Sequence, residues 1–300
     1  MTGLFNKLSN MRTVAIFGVG LIGGSFALAL KKAGFKGEIV GVSSDRTIAE
    51  ALSRGAIDRG ASFERAAQDA DLLYLASPIE KIKQDIAALK GLLKPDALVT
   101  DAGSTKSEIM IAAAEHLPEE SFLGGHPMAG KESRGVLSAD ANLFQGRPYI
   151  LTPTRPQQME STEVRWLLDW VRKAGANPLV LPAEQHDRAV ALLSHLPQLA
   201  STALAVTAAR NLPDQSSQKT AGPGFQDMSR LALSPFDMWR DIFGSNTKEI
   251  DAALGAYIEL LVQFRASLAD PGVLQPAFEE ASAFRKSLFH ATILTNSPLQ

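Results

Sequence analysis

Two of the five histidines stand where chemistry is plausible. Gly124-Gly125-His126-Pro127-Met128-Ala129-Gly130 sets His126 between glycines and a proline, at the end of a strand-like run. The glycines leave space around the ring and the proline stiffens the next residues. Imidazole titrates near neutrality and so suits a general base. An isolated histidine is more often structural, but the strand-end position and cleft-like neighbours point His126 to catalysis. His195 lies in Ser194-His195-Leu196-Pro197-Gln198, which interrupts an alanine-rich helical stretch. His195 and Gln198 are three apart and share a helical face. They serve a site or satisfy one another and the backbone, with equal claim, while Pro197 kinks the helix or occupies its first turn.

Three further segments carry polar groups that could meet a substrate. Asp101-Ala102-Gly103-Ser104-Thr105-Lys106 ends a strand and opens a helix, and in such sheets ligands bind beyond the carboxyl ends of the strands. Ser104 or Thr105 caps that helix, or Ser104 turns its hydroxyl into the cleft. Gly222 to Arg230 leads into a helix, followed by Ser234-Pro235 and Met238-Trp239-Arg240-Asp241. Guanidinium forks grip carboxylates bidentately. Pattern alone does not separate Arg230 from Arg240, and either also suits a surface salt bridge.

Gly18-Val19-Gly20-Leu21-Ile22-Gly23 matches the dinucleotide fingerprint and sits between a strand and a helix, the context that gives it meaning. Gly18 permits the tight turn, Gly20 lets the backbone approach a pyrophosphate, and Gly23 lets helix and strand pack closely. With Leu21 and Ile22 in its first turn, the helix presents N–H groups and dipole to phosphates. The competing reading is a plain glycine turn in an unrelated α/β protein. Ser77, at the end of a later strand, joins the candidate cofactor set. An acid about 20 positions on from the fingerprint normally binds the ribose 2′-hydroxyl. Here that place falls at Ser43, followed by Ser44, Asp45 and Arg46. A serine removes the repulsion of a 2′-phosphate and Arg46 offers it a partner, which favours NADP. Asp45 turned inward would take the ribose of NAD, and Ser44 or Asp45 also suits a helix cap.

The elements that must position these groups alternate. Strand-like runs at Thr13 to Gly18, Glu38 to Ser43, Asp71 to Ser77, Ala97 to Asp101 and Ser121 to Gly125 are separated by helical patterns at Leu21 to Ala33, Thr47 to Arg54, Ile79 to Leu89 and Thr105 to His116. This predicts an α/β Rossmann-type, doubly wound, mainly parallel sheet. Strands near Arg147 to Pro153 and Asn177 to Pro182 flank a helix near Ser161 to Ala174. After Pro182 the patterns are helical alone, including Ser245 to Leu268 and Pro276 to Leu288, with a loop over Asn211 to Gly224. The predicted domains are residues 1–182, dinucleotide-binding, and 183–300, all-helical.

Composition limits the alternatives. The chain of 300 residues, 45% hydrophobic, suits two domains with sizeable cores. A net charge of -2 offers no basic excess for nucleic acid. The absence of cysteine excludes disulfides, thiolate metal sites and cysteine nucleophiles, and no metal site is expected. The N-terminus lacks a signal-peptide core, and no run of about 18 apolar residues suggests a membrane span, so a cytoplasmic protein is expected.

Taken in order, the fingerprint, Asp101-Ala102-Gly103-Ser104-x-Lys106, Gly124 to Gly130, Ser194-His195-Leu196-Pro197, Gly224-Phe225-x-Asp227-x-x-Arg230 and Met238-Trp239-Arg240-Asp241 resemble the prephenate/arogenate dehydrogenase family of tyrosine biosynthesis. The similarity spans roughly Val14 to Asn246, and the combination is specific where each piece is not. The resemblance implies an NAD(P)-dependent oxidative decarboxylation of prephenate to 4-hydroxyphenylpyruvate. Within it, His126 takes the proton of the ring hydroxyl, Ser104 helps hold that hydroxyl and His126, and Arg230 grips the ring carboxylate. Ser194, His195, Gln198, Ser234 and Trp239 complete the implied substrate set, and the helical domain pairs subunits into a homodimer. Some relatives carry histidine at Gln198 and lysine at Gln226. A neutral Gln198 implies that prephenate is accepted, with arogenate left possible because an amide carbonyl can serve its ammonium. Neither a chorismate mutase segment nor a regulatory βαββαβ module is expected after Pro276.

Overall fold

The computed structural model describes residues 12–295. Two compact units divide the chain, residues 1–250 and 251–300.

The first unit is built on an eight-stranded sheet among the described residues, in the order β3-β2-β1-β4-β5-β6-β7-β8. Its strands are β1 (Thr13–Phe17), β2 (Glu38–Val42), β3 (Arg59–Gly60), β4 (Leu72–Leu75), β5 (Leu98–Asp101), β6 (Phe122–Pro127), β7 (Pro148–Thr152) and β8 (Asn177–Val180). All neighbours pair in parallel except β6 and β7, where His126 lies opposite Ile150. The predicted Rossmann-type sheet is therefore present, with the antiparallel β7 as its one reversal among the described strands.

Strand alternation feeds a core on each face. Val14, Ile16, Leu72 and Tyr74 point to one side, where Phe26 and Leu30 of helix α1 (Leu21–Lys32) and Trp166, Leu167 and Val171 of a later helix cover them. Ala15, Phe17, Leu73 and Leu75 point to the other, against Ala66, Ile82, Ile86 and Ile109 of three helices on that side. Those three are α3 (Phe63–Asp69), α4 (Ile79–Ala88) and α5 (Ser107–His116), whereas α2 (Asp45–Ser53) buries Ala51 on the first face and the later helix there is α6 (Thr162–Lys173). Both faces being covered, the strands read as continuous apolar runs, as parallel sheets do. Each fully buried large apolar side chain contributes roughly 1.5–3 kcal/mol.

The sheet ends at Val180, and everything described after Pro182 is helical. Helix α7 (Ala183–Val190) runs through a π-turn at Ala191–His195 into α8 (Leu196–Asn211). The expected interruption at Ser194 to Gln198 is thus a wide turn inside one continuous rod, directly before Pro197, whose missing N–H cannot donate to the preceding turn. The rod is long and apolar enough to cross a bilayer by length and composition. It buries His186, Asp187, His195 and Gln198 among hydrogen-bonding partners of the same unit, while Leu192, Leu193, Leu204 and Val206 stay exposed.

Local differences from the sequence reading have local causes. The expected loop from Asn211 to Gly224 contains a short helix, α9 (Gln215–Gln218), capped by Asp214, and α10 (Pro223–Ser229) already starts at Pro223. The helix expected from Ser245 to Leu268 is present as α12 (Thr247–Ala266), preceded by α11 (Phe236–Ser245) and separated from it at Asn246, whose side chain is occupied elsewhere. The second unit holds the rest of α12 and helix α13 (Gln275–Thr295).

Candidate active site

Chain order reverses at β1, so a crevice opens between the carboxyl ends of β1 and β4. Gly18 leaves β1 with φ 87°, a left-handed value that glycine adopts freely. A Cβ there would also lie 2.6 Å from Ser77 Oγ, at the end of β4. Gly23 packs α1 on β1: its Cβ would overlap the Gly18 carbonyl oxygen and lie 2.8 Å from Ile16 Cγ2. Gly20 differs, with nothing within 4 Å of an added Cβ. It is the N-cap of α1, which has neither a side-chain cap nor an acidic residue in its first turn. The free N–H groups of Leu21, Ile22 and Gly23 therefore face an open, uncompensated place, which fits the pyrophosphate of a dinucleotide.

The ribose end is less committed. Ser44 caps α2 by accepting from Thr47 N, so its side chain has taken the capping option. Asp45 opens α2 and is exposed, as is Ser43. Arg46 points back along its own helix to Glu50 at 3.0 Å, but its side chain is 88% exposed. An exposed pair of this kind is worth about 0–1 kcal/mol, so a phosphate would compete for the guanidinium easily.

Four adjacent parallel strands, β1, β4, β5 and β6, deliver Gly18, Ser77, Asp101 to Ser104, and His126 to one edge of the sheet. Three strand spacings separate Gly18 from His126, about 14 Å. At β5 the carboxylate of Asp101 accepts from Gly103 N at 2.7 Å and Gly125 N at 2.9 Å. It also pairs with the Nζ of Lys106, which donates to the Gly125 carbonyl at 2.7 Å, and neither side chain reaches solvent. Burial pushes the Lys106 ammonium down, while Asp101 and Asp187 hold it up. This knot ties β5 to β6 directly beneath His126.

His126 is half-buried. Its Nδ1 lies 2.8 Å from His186 Nε2, and His186 Nδ1 lies 2.8 Å from Asp187 Oδ1. The Asp187 carboxylate also accepts Lys106 N at 2.7 Å and Ser107 N at 2.8 Å. Helix α5 thus starts at Ser107, two residues later than the sequence suggested, and its cap is the remote Asp187, not Ser104 or Thr105. Thr105 instead bonds Ser245 at 2.8 Å, and Ser104 has no hydrogen-bond partner among the described residues. Burial, then His186, Lys106 and His195, hold the His126 imidazolium well below its usual range, so the ring is neutral at pH 7.

On the other side, Arg230 and Ser234 line a cavity of about 740 Å³ with Gly130, Lys131, Glu132 and Met238. Arg230 stands 4.0 Å from Glu132 and its side chain is 62% exposed. His126 is not in that lining, but Gly130 lies four residues beyond it on the same loop. Gln198 is buried and donates to the Leu231 carbonyl at 2.9 Å, leaving its Oε1 unpartnered. Trp239 is likewise left with a buried, unpartnered Nε1, and it meets His195 edge-on with centroids 6.1 Å apart. Of these two orphaned atoms, an acceptor and a donor, the Gln198 oxygen lies on the side chain that bonds the Arg230 segment at Leu231. Ser194 is half-buried within the π-turn, and Arg240 pairs with Asp237 at 2.6 Å on its own helix. His195 is fully enclosed beside Asn246 at 3.3 Å, and Asn246 donates to the Asp187 carbonyl.

His186, Asp187 and Lys106 carry the buried polar network, and sequence reasoning misses the first two. The available signal is spacing. His186 with Val190, and Asp187 with Ala191, share one helical face, so a histidine and a carboxylate sit where apolar residues belong.

The buried histidines make stability acid-sensitive. Burial lowers His195 to about 4, against Asp187, which raises it. Between pH 6.5 and 4 the unfolded chain therefore binds the proton that the native one refuses, and stability drops as pH falls. His195 alone is expected to cost about 2 kcal/mol between pH 6.5 and 5. Urea unfolding of the wild type and of His195→Gln at both pH values checks this: the variant should lose about 2 kcal/mol less over the interval.

Comparison with known proteins places this geometry. A family model described as prephenate dehydrogenase, nucleotide-binding domain, matches residues 26–178, and one described as prephenate dehydrogenase, dimerization domain, matches 182–274. A curated prephenate dehydrogenase of Lactococcus lactis is 34% identical over 95% of this chain and 80% of that protein. One of Bacillus subtilis is 36% identical over 79% of this chain and 65% of that protein. Among solved structures, prephenate dehydrogenase from Aquifex aeolicus in complex with hydroxyphenyl propionate and NAD+ superposes with TM-score 0.80 at 31% identity, covering 96% of this chain and 99% of that one. Synechocystis arogenate dehydrogenase gives 0.79 at 29% identity over 92% and 99%. With both family models matched in sequence order, and with the dinucleotide crevice and strand-end histidine in place, the chain belongs to the prephenate dehydrogenase family.

Proposed function

We propose that the protein is an NAD(P)-dependent prephenate dehydrogenase that converts prephenate to 4-hydroxyphenylpyruvate and carbon dioxide. The observation that carries the reading is His126, neutral and held by Nδ1 at the sheet edge that also carries the glycine fingerprint. A bound nicotinamide dinucleotide supplies the hydride acceptor. His126 draws the proton from the ring hydroxyl as the carbinol hydrogen leaves with its electron pair. Loss of carbon dioxide returns an electron pair to the ring, and the proton on His126 goes back to the same oxygen as the ring becomes a phenol. No net proton is released. Ser104, with its hydroxyl uncommitted, holds the substrate oxygen beside His126.

Arg230 binds a substrate carboxylate in the cavity with Ser234, and the Trp239 Nε1 donates to the same end. The unpartnered Gln198 Oε1 sits where a side-chain ammonium would meet it, so arogenate is a second substrate. Ser194 and His195 shape that wall. Arg230→Ala should raise KM for prephenate about tenfold with kcat within a few-fold, the loss of a charge-assisted hydrogen bond. Steady-state kinetics settle it, and an unchanged KM moves the carboxylate to Arg240.

NADP is preferred because Ser43 offers no repulsion and Arg46 is free to exchange Glu50 for a phosphate. Residues 1–182 bind the dinucleotide and 183–300 form the substrate and pairing half. A second copy of the chain covers apolar side chains left exposed on each unit, Leu204 and Val206 on the first and Ile258 and Leu261 on the second. A cytoplasmic setting suits such an enzyme. The test is nicotinamide reduction by the purified protein with prephenate or arogenate against NAD⁺ or NADP⁺. Turnover is expected, fastest with prephenate and NADP⁺. Four blank combinations from folded protein that binds a dinucleotide would sink the reading.

A further inference from the structure

We propose that His186 and Asp187 are positioning residues that fix the tautomer of His126 and share the positive charge it gains in turnover. This rests on the reading of His126 as the base. The geometry is a single file of hydrogen bonds: Asp187 Oδ1 to His186 Nδ1 at 2.8 Å, then His186 Nε2 to His126 Nδ1 at 2.8 Å.

The donors and acceptors in that file are set by its fixed end. Asp187 is a carboxylate: burial pushes its pKa up, but bonds from His186 and the backbone N–H groups of Ser107 and Lys106 hold it below the usual carboxylate range. An ionised carboxylate only accepts, so His186 Nδ1 carries a hydrogen. We take His186 with that single hydrogen: its Nε2 is then bare and accepts, so His126 Nδ1 carries a hydrogen as well. That leaves His126 Nε2 with the lone pair, the one atom from which the ring can act as a base. Without the file, a free imidazole divides itself between two tautomers, one of them inert here.

The same file handles charge. When Nε2 takes the substrate proton, the Nδ1 hydrogen can move along the 2.8 Å bond to His186 Nε2, placing the cation against Asp187. Every bond broken is replaced and no oxidant is needed. The charged and titratable groups facing His126 from the packed elements are Asp101 and Lys106 between β5 and α5, His186 and Asp187 on α7, and His195 in the π-turn. Among these, Asp187 is the carboxylate in the file, since Asp101 is occupied by Lys106 and two backbone N–H groups. Asp187 also caps α5, which ties the ring's orientation to the start of the helix beyond the β5 site loop.

The experiment has a part independent of turnover. In protein labelled with ¹⁵N-histidine, long-range proton–nitrogen correlation at pH 7 should show His126 protonated at Nδ1 and bare at Nε2. His186→Gln should scramble that assignment, and kcat should fall about 10²-fold or more, as when a triad loses its orienting carboxylate. The KM for prephenate and the dinucleotide Kd should stay within twofold, and the acid limb of the pH–kcat profile should move. Asp187→Asn should do the same at some cost in stability, because it weakens the α5 cap. His186→Gln leaves that cap intact and so separates the two effects. A wild-type His126 bearing its hydrogen on Nε2, or a folded His186→Gln with kcat within twofold of wild type and an unmoved pH profile, overturns the proposal. Absence of turnover in the wild type would overturn instead the dehydrogenase reading, and the tautomer measurement still decides this one.

Discussion

Replacing His126 with asparagine should lower kcat by about 10²–10⁴-fold, the span typical of a lost general base. Asparagine keeps the approximate shape of one ring edge but has no basic lone pair at neutral pH. Dinucleotide affinity should not change, because the glycine turn at Gly18 lies three strands away on the sheet edge. The pH profile gives a second, independent reading. His126 is held below its usual range by burial, His186, Lys106 and His195, so the acid limb of wild-type kcat/KM should fall below pH 6.5. In His126→Asn that limb should vanish. The variant also leaves His186 without its partner, a buried unsatisfied nitrogen costing about 1–3 kcal/mol in stability. A His126→Asn enzyme with near-normal turnover would remove the residue from the chemistry altogether.

The largest loss of stability is expected at Lys106→Met. The side chain makes no contact with solvent, and its ammonium bonds both the Asp101 carboxylate and the Gly125 carbonyl. Methionine matches the stem but abandons the carboxylate. Two backbone bonds to Asp101, from Gly103 and Gly125, remain, and they do not neutralise a buried charge. Breaking one side of such a pair costs about 3–5 kcal/mol, whereas replacing both partners is often close to neutral. Urea unfolding at pH 7 should therefore show a fall of about 3–5 kcal/mol for Lys106→Met and a large recovery in Lys106→Met with Asp101→Asn. Equal stability of wild type and single variant would mean that Asp101 takes up a proton at little cost. Because the knot joins β5 to β6 at the strand carrying His126, the single variant should also lose activity beyond its loss of folded protein.

Local pattern accounts for the features that could be read directly. The alternation of apolar runs with helical patterns dictates a parallel sheet covered on both faces, since each strand must bury both its sides. Gly18 and Gly23 are legible because their constraints act within one turn: a left-handed φ, and a carbonyl and an isoleucine too close for any Cβ. His126 is legible because its neighbours in sequence create its setting. By contrast, the sequence suggested Ser104 or Thr105 as the cap of α5, and the fold supplied Asp187 from 80 residues away. The partner of His126 comes from 60 residues away, on a largely polar helix where His186 reads as one more solvated residue. Helix capping, tautomer choice and the pairing of buried charges depend on which groups share a low-dielectric space, and that is decided only when α7 docks against the β5 and β6 ends. The amino-acid order thus determined a dinucleotide-binding sheet with a histidine at its edge, while tertiary packing alone chose the partners that set how that histidine holds its proton.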